Sequence, residues 1–126
     1  MDTLKPLIEK LPRVRLIPGP TPLHPLRGMP EKETAVPVYI KRDDLTGLGP
    51  GGNKLRSLEF ILGHAIQEGA DCIIASGPLQ SNLCTLTAAA CARLGLPCTL
   101  VVNGEKPERL PGFLTWFFRA NIGVLV

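Results

Sequence analysis

The sequence predicts an α/β fold: a parallel sheet with helices on both faces, three layers in all. Two observations carry that expectation. Short apolar runs at 72–75 and 98–102, with a third at 122–126, have strand length and little polar alternation, as strands buried on both faces do. Longer segments at helical spacing lie between them, and strands joined through helices form parallel sheets with right-handed crossovers.

The elements follow in chain order. Eight of the thirteen prolines fall between Pro6 and Pro37, so this segment can make neither a long helix nor a central strand. It reads as an extended arm over a larger body, with one short helical turn around 7–10. Residues 36–42 read as a short strand leading into the glycine-rich run 47–52. Beyond it, Leu55, Leu58, Ile61, Leu62, Ala65 and Ile66 share one helical face, and Gly69 is the expected stop. After the strand at 72–75, residues 76–80 form a loop. Ser81 or Asn82 then caps a helix over 83–94 that is apolar nearly all round and ends at Gly95 and Pro97. The strand at 98–102 closes at Asn103-Gly104. A third helix is expected over 113–120, and a third strand at 122–126. Apolar strand meets chain end at Val126 without a polar tail, which reads as a helix–strand alternation cut short.

Composition excludes several classes. Hydrophobic residues make up 44% and charged residues 20% of the 126, a globular balance. The net charge of +3 is mild and Lys41-Arg42 is offset by Asp43-Asp44, which gives nucleic-acid binding little support. No apolar run reaches membrane-spanning length and the first residues are no signal peptide, so a cytoplasmic protein is expected. Cys72, Cys84, Cys91 and Cys98 contain no C-x-x-C pair and no nearby histidine, so no metal site is expected and all four read as core thiols. His24 and His64 are isolated, with surface or core roles.

Chemistry concentrates in two segments. The first is Lys41-Arg42-Asp43-Asp44-Leu45-Thr46, the glycine run, then Asn53-Lys54-Leu55-Arg56. It sets Lys54 at the mouth of a glycine turn on the threshold of a helix. A helix N-terminus disfavours an ammonium, which suits a lysine recruited to attack a carbonyl, and the glycines let a ligand approach the backbone. A carbonyl cofactor such as pyridoxal 5'-phosphate (PLP) fits that pattern. A nucleotide-binding P-loop does not, because Asn53 stands between the last glycine and the lysine and Leu55 follows where a serine or threonine is needed. Taken alone, the turn is better read as a flexible loop with a solvated lysine, since lone glycine motifs are weak. The second segment, Ser76 to Asn82, lies between a parallel strand and the helix it feeds, where open α/β sheets bind ligands. Gln80, Ser81 and Asn82 offer hydroxyl and amide groups there, beside backbone N–H groups suited to a carboxylate.

Together, Lys-Arg-Asp-Asp-Leu-Thr, Gly-Gly-Asn-Lys-x-Arg-x-Leu-Glu-Phe and Gln-Ser-Asn resemble the fold-type II PLP enzymes, whose architecture is that of the tryptophan synthase β chain. The match is strongest to the D-cysteine desulfhydrase and 1-aminocyclopropane-1-carboxylate (ACC) deaminase family. It runs from about Thr21 to the C-terminus and is densest over 39–60. The resemblance implies that Lys54 is the Schiff-base lysine and moves the α-proton, and that Asn53 supports the glycine turn. Asn82 would bond the phenolic oxygen of PLP. Ser81, with Gln80 and its backbone, would hold the substrate carboxylate or assist proton transfer. It further implies an arm and strand of a large domain at 1–52 and a small α/β domain at 53–126. The complete enzyme would be a homodimer acting on a small amino acid and releasing ammonia and a 2-oxo acid, with sulfide as well from D-cysteine. A β-replacement enzyme of the cysteine synthase kind, or an inactive fragment or binding module, are the alternatives. The chain departs from the family pattern at Gly77-Pro78-Leu79 and at 83–86, where substrate choice is expected to be read. The family's phosphate loop and ring-nitrogen pocket are expected beyond Val126.

Overall fold

The computed structural model describes residues 4–26 and 36–104, together with the backbone of strand Gly123–Leu125. Its elements are helix α1 (Lys5–Glu9), strands β1 (Leu23–Pro25) and β2 (Tyr39–Lys41), a 3-10 turn (Asp43–Leu45), helix α2 (Lys54–Gln67), strand β3 (Ile73–Pro78), helix α3 (Asn82–Leu94), and strands β4 (Cys98–Asn103) and β5 (Gly123–Leu125). β3, β4 and β5 form a parallel sheet in that order, with Ile73 opposite Cys98 and Thr99 opposite Gly123. The parallel α/β expectation holds. α3 packs on β3 and β4 and α2 packs on α3, and the helix expected over 113–120 lies outside the described residues.

The β strands differ from expectation at their ends for identifiable reasons. β3 runs on through Ser76, Gly77 and Pro78, where a loop was expected, because these residues pair with Val101, Val102 and Asn103 of β4. Proline is tolerated there because, among the described strands, β3 lies at the sheet edge and has no outer neighbour to which it must donate. β2 is shorter than the expected 36–42, and it pairs antiparallel with β1, inside the stretch read as a plain arm. Prolines keep this ribbon to three residues a side, bounded by Leu26 N–H to Val38 O and Arg42 N–H to Pro22 O, each 2.9 Å.

α3 is the central helix of the core. Ser81 caps it, its Oγ accepting the Cys84 N–H at 3.2 Å. Gly95, at φ 70°, ends it in the left-handed conformation, and the Leu96 N–H reaches back to Cys91 O at 2.9 Å. Ala88, Ala89 and Ala90 are all buried, and such short side chains let α3 lie close to α2 and to β3 and β4. Leu86, Leu100 and Cys91 fill the space between, with Leu55, Leu58 and Leu62 from α2. Each buried leucine contributes about 1.5–3 kcal/mol of transfer free energy.

The arm lies along α2. Gly63 sits in mid-helix because a Cβ there would come within 2.7 Å of Arg13 and Pro12 backbone atoms. One turn earlier, Glu59 is almost completely buried yet charged. Its Oε1 accepts the Leu16 and Ile17 N–H groups, both at 2.8 Å, and its Oε2 accepts Arg13 Nε at 2.8 Å. The Arg13 guanidinium also lies 5.1 Å from the Phe60 ring centroid. Burial pushes Glu59 toward protonation, but bonds from Ile17 N–H, Arg13 and Leu16 N–H outweigh it and hold the carboxyl below its ordinary value.

Two expectations on burial are corrected. Ile61 and Ile66, read as part of the apolar face of α2, are 55% and 42% exposed, since the buried stripe is the narrower Leu55–Leu58–Glu59–Leu62 set. Cys72 is exposed because it precedes the first residue of β3, whereas Cys84, Cys91 and Cys98 are buried as expected. His24 and His64 are both exposed.

Candidate active site

The site is built from two chain segments that meet. The first is the glycine turn. Gly51 and Gly52 have φ of 73° and 135°, and a Cβ on Gly51 would come within 2.1 Å of the Asp44 carbonyl oxygen. Only glycine permits both the conformation and the approach. The Gly52 N–H donates to Asp43 O at 2.7 Å and to the buried Thr46 hydroxyl at 3.1 Å. These bonds close the turn just before α2 begins at Lys54.

Asp43 is the hub of that turn. Its carboxylate accepts the Thr21 hydroxyl at 2.7 Å and two bonds from the Arg56 guanidinium, at 2.9 Å from Nε and 2.6 Å from Nη2. Arg56 Nη2 also donates to Thr21 Oγ1 at 2.8 Å. The Arg56 bond, then the Thr21 bond, hold Asp43 well below the usual carboxylate range, and Asp43 in turn raises the Arg56 guanidinium. Lys41 is engaged as well, its ammonium donating to the Thr21 carbonyl. Lys54 is exposed and makes no side-chain hydrogen bond or ion pair among the described residues. Of the two lysines flanking the turn, only Lys54 is uncommitted.

The second segment leads from β3 into α3. Ser81 turns the chain, its N–H bonded to Pro78 O at 2.9 Å and its carbonyl accepting the Thr85 hydroxyl at 3.0 Å. Gly77 is required beneath it, since a Cβ there would lie 2.8 Å from Ser81 Oγ. Asn82, the first residue of α3, comes against the glycine turn: a Cβ on Gly52 would lie 2.5 Å from Asn82 Nδ2. Beside this contact opens a groove of about 350 Å³ lined by Pro50, Gln80, Asn82 and Thr85.

The structure therefore brings Asn82 to within contact of the residue two before Lys54, and sets Gln80 and Asn82 on one groove. Ser81 is the helix cap, so its Oγ is occupied as an acceptor while its hydrogen stays free to donate. Asn53 is exposed at the start of α2 and its side chain makes no capping bond. Among the departures from the family pattern, Thr85 lines this groove, whereas Leu86 packs under the glycine turn and Cys84 is buried in the core. Leu83 lines a different, apolar groove with Leu58, Ile61, Leu62 and Ile73.

These features fit the ring end of PLP. An uncommitted amine at Lys54, an amide at Asn82 against side-chain-free glycine backbone two residues before it, and an open groove carrying Gln80, Asn82 and Thr85 on a largely apolar lining suit an aromatic aldehyde bearing a hydroxyl. Among the described residues no cluster of His, Cys, Asp and Glu could hold a metal, and no helix is long and apolar enough to cross a membrane.

Sequence reasoning passed over the residues that hold the turn: Thr21, Asp43, Thr46 and Arg56. Asp43, Thr46 and Arg56 lay inside the quoted motifs, where a charged pair bracketing a glycine run was the available signal. Glu59 also carried one, a carboxylate on an otherwise apolar helical face.

Comparison with known proteins shows the family and the fold. The family described as pyridoxal-phosphate dependent enzyme matches residues 14–112. A Pyrococcus abyssi protein assigned as an ACC deaminase is 48% identical over 122 residues, covering 91% of this chain and 37% of the relative. A D-cysteine desulfhydrase from Salmonella paratyphi A is 42% identical, covering 86% of this chain and 33% of the relative. The crystal structure of an ACC deaminase homologue superposes with a TM-score of 0.86 at 42% identity, over 99% of this chain and 38% of that one. The chain thus spans about a third of the length of the curated relatives it matches. With a family match over most of its length and a shared fold, the chain belongs to the pyridoxal-phosphate dependent enzyme family.

Proposed function

We propose that this chain carries the lysine-bearing part of the active site of a PLP-dependent lyase or deaminase of the D-cysteine desulfhydrase or ACC deaminase type. The substrate is a small amino acid, and ammonia and a 2-oxo acid are released. The observation that carries this reading is the contact of the glycine turn with Asn82, beside a lysine left free by its neighbours. The relatives' names support the same chemistry.

In this reading Lys54 would be the residue that holds the cofactor through its amine and would move the substrate α-proton. Asn82 would hold the cofactor's phenolic oxygen through its amide, and Asn53 would support the turn through its main-chain carbonyl, which accepts the Arg56 N–H, rather than through its side chain. Gln80 and the Ser81 hydroxyl orient the substrate carboxylate, with Ser81 able to assist a proton transfer because its hydrogen is not used in the cap. The cofactor's contribution when bound is an electron sink for the bond broken at Cα. The reading also assigns residues 1–52 to the arm and strand of a larger PLP domain and 53–126 to a small α/β domain. Exposure of all six residues of the β1–β2 ribbon supports that division, since a bare two-stranded ribbon is marginal in water. A cytoplasmic homodimer is the assembly proposed.

Titration with PLP tests the proposal. An absorbance band of bound cofactor that is lost in Lys54→Ala is the expected result. A band unchanged in Lys54→Ala would rule Lys54 out, and no band at all would make the isolated chain a non-catalytic module. With the complete enzyme, a product carrying an added nucleophile in place of ammonia release would favour β-replacement.

A further inference from the structure

Helix α2 starts without the usual support. Asn53 occupies the capping position in a helical conformation and gives no side-chain cap, and the preceding turn is glycine-rich. Such a chain loses more entropy on ordering than any other, and the first turn of an uncapped helix frays. Lys54 is the first residue of that helix, so something else must fix it.

We propose that Asp43, acting with Arg56 and Thr21, is the positioning device for Lys54. Asp43 grips the chain on both sides of the lysine. Its main-chain carbonyl takes the Gly52 N–H at 2.7 Å, two residues before Lys54. Its carboxylate takes the Arg56 fork at 2.6 and 2.9 Å, two residues after Lys54. Asp43 therefore ties down the chain on both sides of the lysine while leaving the amine untouched. Thr21 locks the carboxylate orientation from the arm, donating at 2.7 Å and accepting from Arg56 at 2.8 Å. Arginine suits this position because its planar fork binds a carboxylate at two points, which a lysine cannot do. None of the three residues lines the groove beside Asn82, and their bonds reach the chain at Gly52 and Arg56, on either side of Lys54. The inference rests on the reading of Lys54 as the cofactor lysine.

Reductive trapping tests it. Each protein is incubated with PLP, treated with borohydride, and every lysine is mapped by mass spectrometry, with thermal unfolding measured on the same samples. Wild type is expected to carry its label at Lys54. Asp43→Asn is expected to cut trapping at Lys54 by about tenfold or more, since a misplacement of about 1 Å in a reacting group can cost about a hundredfold, and to spread residual label over other lysines. Arg56→Lys should retain more Lys54 label than Arg56→Ala, because a cation remains within reach of Asp43. Thr21→Val, which leaves the ion pair in place, should give an intermediate loss and serves should Asp43→Asn not fold. Glu59→Gln destabilises the protein elsewhere and is expected to leave the labelling pattern unchanged. The proposal is overturned if Asp43→Asn is labelled as wild type is, or if all variants lose label only in proportion to lost stability. Wild-type label absent from Lys54 would instead overturn the reading beneath it, and the inference with it.

Discussion

Replacing Glu59 separates the work of its charge from the work of its acceptor geometry. The Leu16 and Ile17 N–H groups both end on Oε1 at 2.8 Å, inside the core. Glu59→Ala removes that acceptor and strands two buried donors, each costing about 1–3 kcal/mol. The cost is therefore roughly 2–6 kcal/mol, against total stabilities of about 5–15 kcal/mol. Glu59→Gln keeps an oxygen for both backbone donors but loses the charge and the acceptor for Arg13, so its cost should be about 1–2 kcal/mol, less than that of Glu59→Ala. Arg13→Ala should cost about 1–3 kcal/mol, because Arg13 is 44% exposed but Glu59 only 1%, so a buried carboxylate oxygen loses its donor. Urea denaturation followed by circular dichroism reads all three, the midpoint moving and the slope staying constant. Equal losses in Glu59→Gln and Glu59→Ala, or a Glu59→Ala within about 0.5 kcal/mol of wild type, would refute the argument that backbone donors dominate.

Further outcomes follow from the same geometry. Glu59 sits below its ordinary pKa of 4.5, so its stabilisation is complete above that pH and is lost as pH falls through the lowered native value. Acid titration of Glu59→Gln should accordingly show a flatter stability profile than wild type below pH 4.5, and parallel profiles would contradict this. Gly63→Ala sets helix propensity, a gain of about 1 kcal/mol, against a Cβ within 2.7 Å of the Arg13 backbone. Overpacking against backbone should win with a net loss of about 1–3 kcal/mol by thermal melting, and a stabilised variant would show that the arm does not lie where described. Ser81→Ala removes the α3 cap and should cost about 0.5–2 kcal/mol, measured by the same melts; Ser81→Asp should recover most of it. Gly52→Ala meets both a φ of 135° and the Asn82 amide at 2.5 Å, so the Asn82 side-chain resonances should shift in NMR spectra. Unmoved resonances would break the link between turn and α3.

Local pattern revealed the alternation of strand and helix because it depends on neighbours in sequence. The runs 98–102 and 83–94 became β4 and α3 nearly as read, since both are buried in the core. Partners distant in sequence were less legible. Glu59 bonds to residues 42 and 43 positions away, and Thr21 to Arg56 across 35, distances over which periodicity says nothing. β3 outran its apolar stretch because pairing with β4, rather than hydropathy, sets its end. Ile61 and Ile66 lay on the expected face but outside the narrower stripe that α3 and the arm cover. The motifs located Lys54 and Asn82, but their approach through Gly52 appears only in three dimensions.

The central claim is that Lys54, rather than its neighbour across the turn, is the residue that reacts with the cofactor. Lys41 is held by the Thr21 carbonyl, while Lys54 stands free beside the Gly52–Asn82 contact. Mass mapping of the wild-type protein reduced in the presence of limiting PLP measures this directly. The account predicts the pyridoxyl group on Lys54 with Lys41 unmodified. Label on Lys41, or spread evenly over the exposed lysines, would contradict it.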